Sequence, residues 1–141
     1  MNATRPYSLT EIERISRDWS GIPIYLITLT YSSLLLPVAQ ETSDRDLSEY
    51  LRALRLACDA MDIPLRYVSG TYRKMSGYEV AHYIVLPETI PPGTFTKPWL
   101  KGMVRFERVA GIKAALQYMN RRPGSIKRRQ SPRAPRSSWE A

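Results

Sequence analysis

The chain has 141 residues, 43% of them hydrophobic, and a formal net charge of +8. That is enough apolar content for one domain with its own core, and the single cysteine, Cys58, excludes an internal disulfide. No apolar run approaches a bilayer span, and the polar first residues lack the apolar segment of a signal peptide, so the expectation is a protein of the reducing cytoplasm with no membrane contact.

Ser8 and Glu11 have the spacing of a capping box, and Leu9, Ile12, Ile15 and Trp19 recur at helical spacing, which predicts a short helix over about 9–18. Gly21 and Pro23 end it. Ile24 to Tyr31 is almost entirely β-branched, aromatic or apolar and reads as a central strand, with Leu26, Thr28 and Thr30 on one face and Ile27, Leu29 and Tyr31 on the other. A connector follows, and Ser43 ahead of Asp44 and Asp46 predicts the N-cap of a long helix over about 44–61. Its inward stripe is Leu47, Leu51, Leu54, Cys58 and Met61.

Leu65 to Leu86 reads as two strands joined by a basic, glycine-bearing turn, and carries the only histidine. Alternation sets His82 on one face with Val80 and Ile84. Residues 87–98 hold four prolines and are expected to form a loop. A short strand over 103–106 and a helix over 107–120 complete the regular elements. This order predicts an α+β fold, a ferredoxin-like or RRM-like antiparallel sheet with helices packed on one face and the other face open to a ligand.

Charge is unevenly placed: residues 121–141 carry seven Lys/Arg against one Glu, +6 of the +8. The chain therefore divides into a single domain over 1–122 and a basic, proline-bearing tail over 123–141 that is expected to be disordered until bound. Clustered cations of this kind attract polyanions by releasing their counterions. Nucleic acid is the expected partner, with Lys127, Arg128 and Arg129 of the tail joined by Arg121 and Arg122. Around the hairpin, Arg66, Tyr72, Arg73 and Lys74 interleave aromatic faces with cations, the composition that stacks unpaired bases and follows a backbone.

Ile27-Thr28-Leu29-Thr30-Tyr31, then Ala81-His82-Tyr83-Ile84-Val85-Leu86, then Ala115-Leu116-Gln117-Tyr118-Met119-Asn120-Arg121-Arg122 follow an order and spacing that resembles the rolling-circle replication initiators of the HUH endonuclease superfamily, across about residues 22–122. The resemblance implies a catalytic tyrosine, Tyr118, attacking a phosphodiester; a divalent metal, Mg or Mn, held through His82; and Thr28 and Thr30 beside the phosphate. The family pairs two histidines at i and i+2, which on a strand point the same way and share one metal. Here the positions two away from His82 are Val80 and Ile84, which cannot ligate, so the metal motif is degenerate. The expectation is an initiator-like protein that binds single-stranded or hairpin DNA and is impaired in catalysis. The alternatives are an active nicking endonuclease, an RNA-binding module, or a phage or plasmid protein-interaction factor.

Overall fold

The computed structural model describes residues 6–36, 39–74, 79–121 and 125–131. Helix α1 (Leu9–Asp18) starts at the expected capping box: the Glu11 amide donates to Ser8 Oγ at 3.1 Å and the Ser8 amide donates to Glu11 Oε1 at 3.0 Å. Strand β1 (Ile24–Thr30), helix α2 (Gln40–Ala60), strands β2 (Val68–Arg73) and β3 (Val80–Pro87), helix α3 (Pro92–Thr96), strand β4 (Val104–Val109), helix α4 (Ile112–Asn120) and strand β5 (Ser125–Gln130) follow.

The strands form one antiparallel sheet in the order β4-β1-β3-β2-β5. β3 lies between β1 and β2, and β1 lies between β3 and β4. The first four strands therefore interleave two crossover units, which is the expected ferredoxin-like arrangement. The crossover helices, the expected α2 and the short α3 within the expected loop, share one face. Leu47, Tyr50, Leu51, Leu54 and Cys58 of α2, with Phe95 of α3 and Trp99, pack there on Tyr25, Ile27, Leu29, Ile84 and Leu86.

The second face is not bare, which corrects the expectation of helices on one side only. Ile12, Ile15 and Trp19 at α1, with Ile112, Ala115, Leu116 and Met119 of α4, cover Leu26, Val68, Tyr72, Tyr83 and Val85. The reason lies in β3: all eight of its residues are buried, so both of its alternating side-chain sets need apolar cover, and one helical layer supplies only one.

Four boundaries move. α2 begins at Gln40, and Ser43 lies inside its first turn with its hydroxyl donating to the Gln40 carbonyl at 2.8 Å, while extended Ala39 is the N-cap. The proline-rich loop contains α3, because Pro92 stands in the first turn, where a missing amide costs nothing. β4 runs through Glu107 to Val109, since pairing with Ile24–Leu29 overrides the helical preference of the local sequence, and α4 starts only at Ile112. Finally, residues 125–130 of the expected tail are β5, paired with β2 over its whole length. Residues 132–141 lie outside the described set. Among the described residues no helix is long and apolar enough to cross a membrane.

Candidate nucleic-acid interface

The two faces of the sheet divide the predicted site. His82 lies on the α2 face and is 0% exposed. Both of its ring nitrogens are engaged: Nε2 is 2.8 Å from the Tyr31 hydroxyl and Nδ1 is 2.7 Å from Thr71 Oγ1. The Tyr31 hydroxyl donates its one proton to Asp46 Oδ2 at 3.0 Å, so its oxygen accepts from His82 Nε2–H, and Nδ1 accepts from Thr71. Burial, with Arg129 and Arg73 nearby, lowers the His82 pKa from 6.5 to about 3, so the ring is neutral at physiological pH. Burial and the Asp46 carboxylate push the Tyr31 phenol upward, which holds it protonated. Trp99 closes the cluster, 5.7 Å from the imidazole and 5.1 Å from Tyr31, while its indole N–H donates to the Thr30 carbonyl at 2.9 Å.

The residues around His82 do not fit the divalent cation that the resemblance implies. A ring nitrogen free to ligate is lacking, the Asp46 carboxylate is reached through Tyr31, and among the described residues no group of three or more His, Cys, Asp or Glu could hold a metal. His82 is a sealed polar core residue.

Tyr118 is on the other face. α4 packs through Ile112, Ala115, Leu116 and Met119, which leaves Tyr118 on the helix shoulder, 40% exposed, with its ring edge-on to Tyr83 at 5.7 Å and 79°. The sheet stands between Tyr118 and His82, so these two predicted catalytic groups are not brought together. Beside Tyr118, where α4 stops covering the sheet, a groove of about 960 Å³ is lined by Thr28, Thr30, Tyr83, Arg105 and Glu107 among others. Thr28 stands in register with Tyr83 on one side and Arg105 on the other, which fixes a hydroxyl, an aromatic ring and a guanidinium in one row of the floor. Thr30 Oγ1 donates to the Met103 carbonyl at 3.4 Å.

The predicted cations take different roles. Lys74 is exposed at the base of the hairpin, its amide donating to the Glu79 carbonyl at 2.9 Å, and Arg121 is exposed at the C-terminal end of α4. Arg122 lies outside the described residues. The other cations are drawn into the fold. Arg66 lies over the Trp19 ring at 4.4 Å and donates to the Asp18 carbonyl, tying the end of α1 to the approach of β2. Arg73 donates to Ser43 Oγ of α2 at 3.1 Å.

On β5 the alternation of a strand deals the three basic residues to opposite layers. Lys127 pairs with Asp44 and Arg129 donates to Ser48 at 2.9 Å, both on α2, while Arg128 pairs with Glu11 of α1 and lies 5.0 Å over the Tyr7 ring. With Arg128 and the Ser8 amide holding its charge, the Glu11 carboxyl is lowered to about 2 despite its partial burial. These residues were expected to hold phosphates; they hold helices. Tyr72, expected to stack bases, is 2% exposed within the α1 and α4 core.

Sequence reasoning missed Arg105 and Glu107 as groove residues because it ended the strand at Phe106. The alternation V-R-F-E-R-V over 104–109 was the available signal. No protein-family model, curated protein or solved structure matches the chain.

Proposed function

We propose that the protein binds a single strand of DNA in the groove between α4 and β4, in the manner of an initiator-like domain that holds its strand without cutting it. The observation that carries this reading is the exposed Tyr118 ring, buttressed edge-on by Tyr83, beside a floor bearing the Thr28 hydroxyl and the Arg105 guanidinium. A fixed aromatic ring stacks on any unpaired base, and the neighbouring hydroxyl and cation suit the adjoining phosphate. Arg121 at the end of the same helix and Lys74 at the hairpin are further exposed cations, while Glu79 and Glu107 stand with Arg105 in the groove lining. The reading stops at binding because His82 is sealed on the opposite face. A cytoplasmic location belongs to the same proposal, since the free, buried Cys58 suits a reducing compartment.

Fluorescence anisotropy with labelled single-stranded oligonucleotides tests it. Tyr118→Ala is expected to weaken binding by about 10- to 100-fold, the worth of one base stacked on one ring, and Tyr118→Phe to preserve it. Arg105, Arg121 and Lys74 as phosphate contacts give a salt slope of about −2 on a single strand. Unchanged affinity in Tyr118→Ala would remove the groove from the interface, and tighter binding of matched RNA would reassign the substrate.

A further inference from the structure

β4 is the outer strand of the sheet, and among the described residues nothing pairs with its free side. The Thr30 amide donates to the Met103 carbonyl at 3.0 Å and the Ser32 amide to the Lys101 carbonyl at 2.9 Å. Continued along the register that pairs Thr28 with Arg105 and Leu26 with Glu107, this turns the main-chain groups of the odd-numbered residues toward β1. The N–H and C=O groups of Val104, Phe106 and Arg108 therefore point outward. Side chains alternate as well: Arg105 and Glu107 rise on the groove face, while Phe106 lies on the other face against Tyr25 and Phe95 and remains 43% exposed.

We infer that β4 is a homodimerisation edge, pairing antiparallel with β4 of a second copy about a two-fold axis through Phe106 to give one continuous ten-stranded sheet. In that register Val104 faces Arg108 of the other chain and Phe106 faces its own counterpart, both as hydrogen-bonded pairs, using the outward-pointing main-chain groups of all three residues. Arg105 then faces Glu107 of the other chain, twice by symmetry, as non-hydrogen-bonded pairs, where opposed side chains stand closest. The neighbouring symmetric registers fail on charge: centring one residue earlier opposes Arg105 to Arg105, and one residue later opposes Glu107 to Glu107. A protective edge repels a second copy with one sign of charge, whereas this edge is self-complementary in a single register. Because Arg105 and Glu107 also line the groove, the two grooves meet side by side on one face of the joined sheet.

Sedimentation equilibrium of the full chain without nucleic acid tests this independently of the groove's ligand. The wild type is expected to reach twice the 16.2 kDa of one chain. Arg105→Glu and Glu107→Arg each set like charges opposite one another and are expected to raise the dissociation constant about tenfold or more, with unchanged circular dichroism. The double variant Arg105→Glu/Glu107→Arg exchanges the partners and is expected to restore the dimer. A wild type that stays monomeric across the micromolar range overturns the inference, as does a dimer indifferent to either single reversal or a folded double variant that does not recover.

Discussion

The buried imidazole makes acid stability a direct test of the structure. His82 has a pKa near 6.5 when unfolded and about 3 in the fold, so between those values the unfolded chain binds one more proton than the folded one. A group of this kind contributes nothing at neutral pH, where both states are deprotonated. As pH falls below 6.5 the unfolded state gains protonation free energy that the folded state cannot match until about pH 3. Between pH 7 and pH 5 the loss from this residue alone is about 2 kcal/mol, rising by about 1.4 kcal/mol for each further pH unit down to the folded pKa. His82 is the only histidine of the chain, so no second imidazole titrates in this interval.

Urea unfolding of the wild type and of His82→Gln at pH 7 and pH 5 isolates the effect. Glutamine offers Tyr31 and Thr71 a donor and an acceptor without a titrating ring. The variant is expected to be less stable at pH 7, because it fills the Trp99 and Tyr31 pocket less well, but to lose about 2 kcal/mol less than the wild type on going to pH 5. Equal losses in the two proteins would show that His82 is not held neutral, and would refute its placement between Tyr31 and Thr71.

Two further outcomes follow from the packing. A Cβ added at Gly102 would stand 2.0 Å from the Thr30 carbonyl oxygen and 2.7 Å from Tyr31 Cα, both main chain, so Gly102→Ala is expected to cost about 3 kcal/mol or more, read as a lowered midpoint in thermal unfolding. A midpoint equal to the wild type would mean that the 100–103 segment does not run against β1. Truncation after residue 124 removes β5 and its pairs to Asp44 and Glu11, and is expected to lower the unfolding midpoint as well as any salt-dependent binding. A truncated chain with unaltered stability would return residues 125–130 to the status of a solvated tail.

Most elements were legible because their signals were local. The Ser8 capping box, the apolar β1 and the four-three stripe from Leu47 to Cys58 each specify an element without help from the rest of the chain. β5 was not legible. Ser-Ile-Lys-Arg-Arg-Gln has one apolar residue in six and becomes a strand because Asp44, Glu11 and Ser48 wait on both sides of the β2 edge to receive its cations. The same blindness to distant partners misassigned the site. Spacing alone aligned His82 with Tyr118, but only the sheet decides that α4 docks on the face His82 turns away from. Charge in a sequence reports how many cations exist, and the fold decides how many remain for a ligand.

The placement of β5 also sets when the β2 edge can be covered. Arg128 reaches Glu11 across 117 residues, and β2 pairs with a strand made more than fifty residues after it. During synthesis the nascent chain therefore carries β2, flanked by β3 on one side only, as an open edge until residues 125–130 have emerged. Contacts of such long sequence separation raise the contact order, which slows folding as a whole. The clasp that joins the two helical layers can close only after those residues have emerged, and in the interval before it closes the open β2 edge is available for pairing with a neighbour.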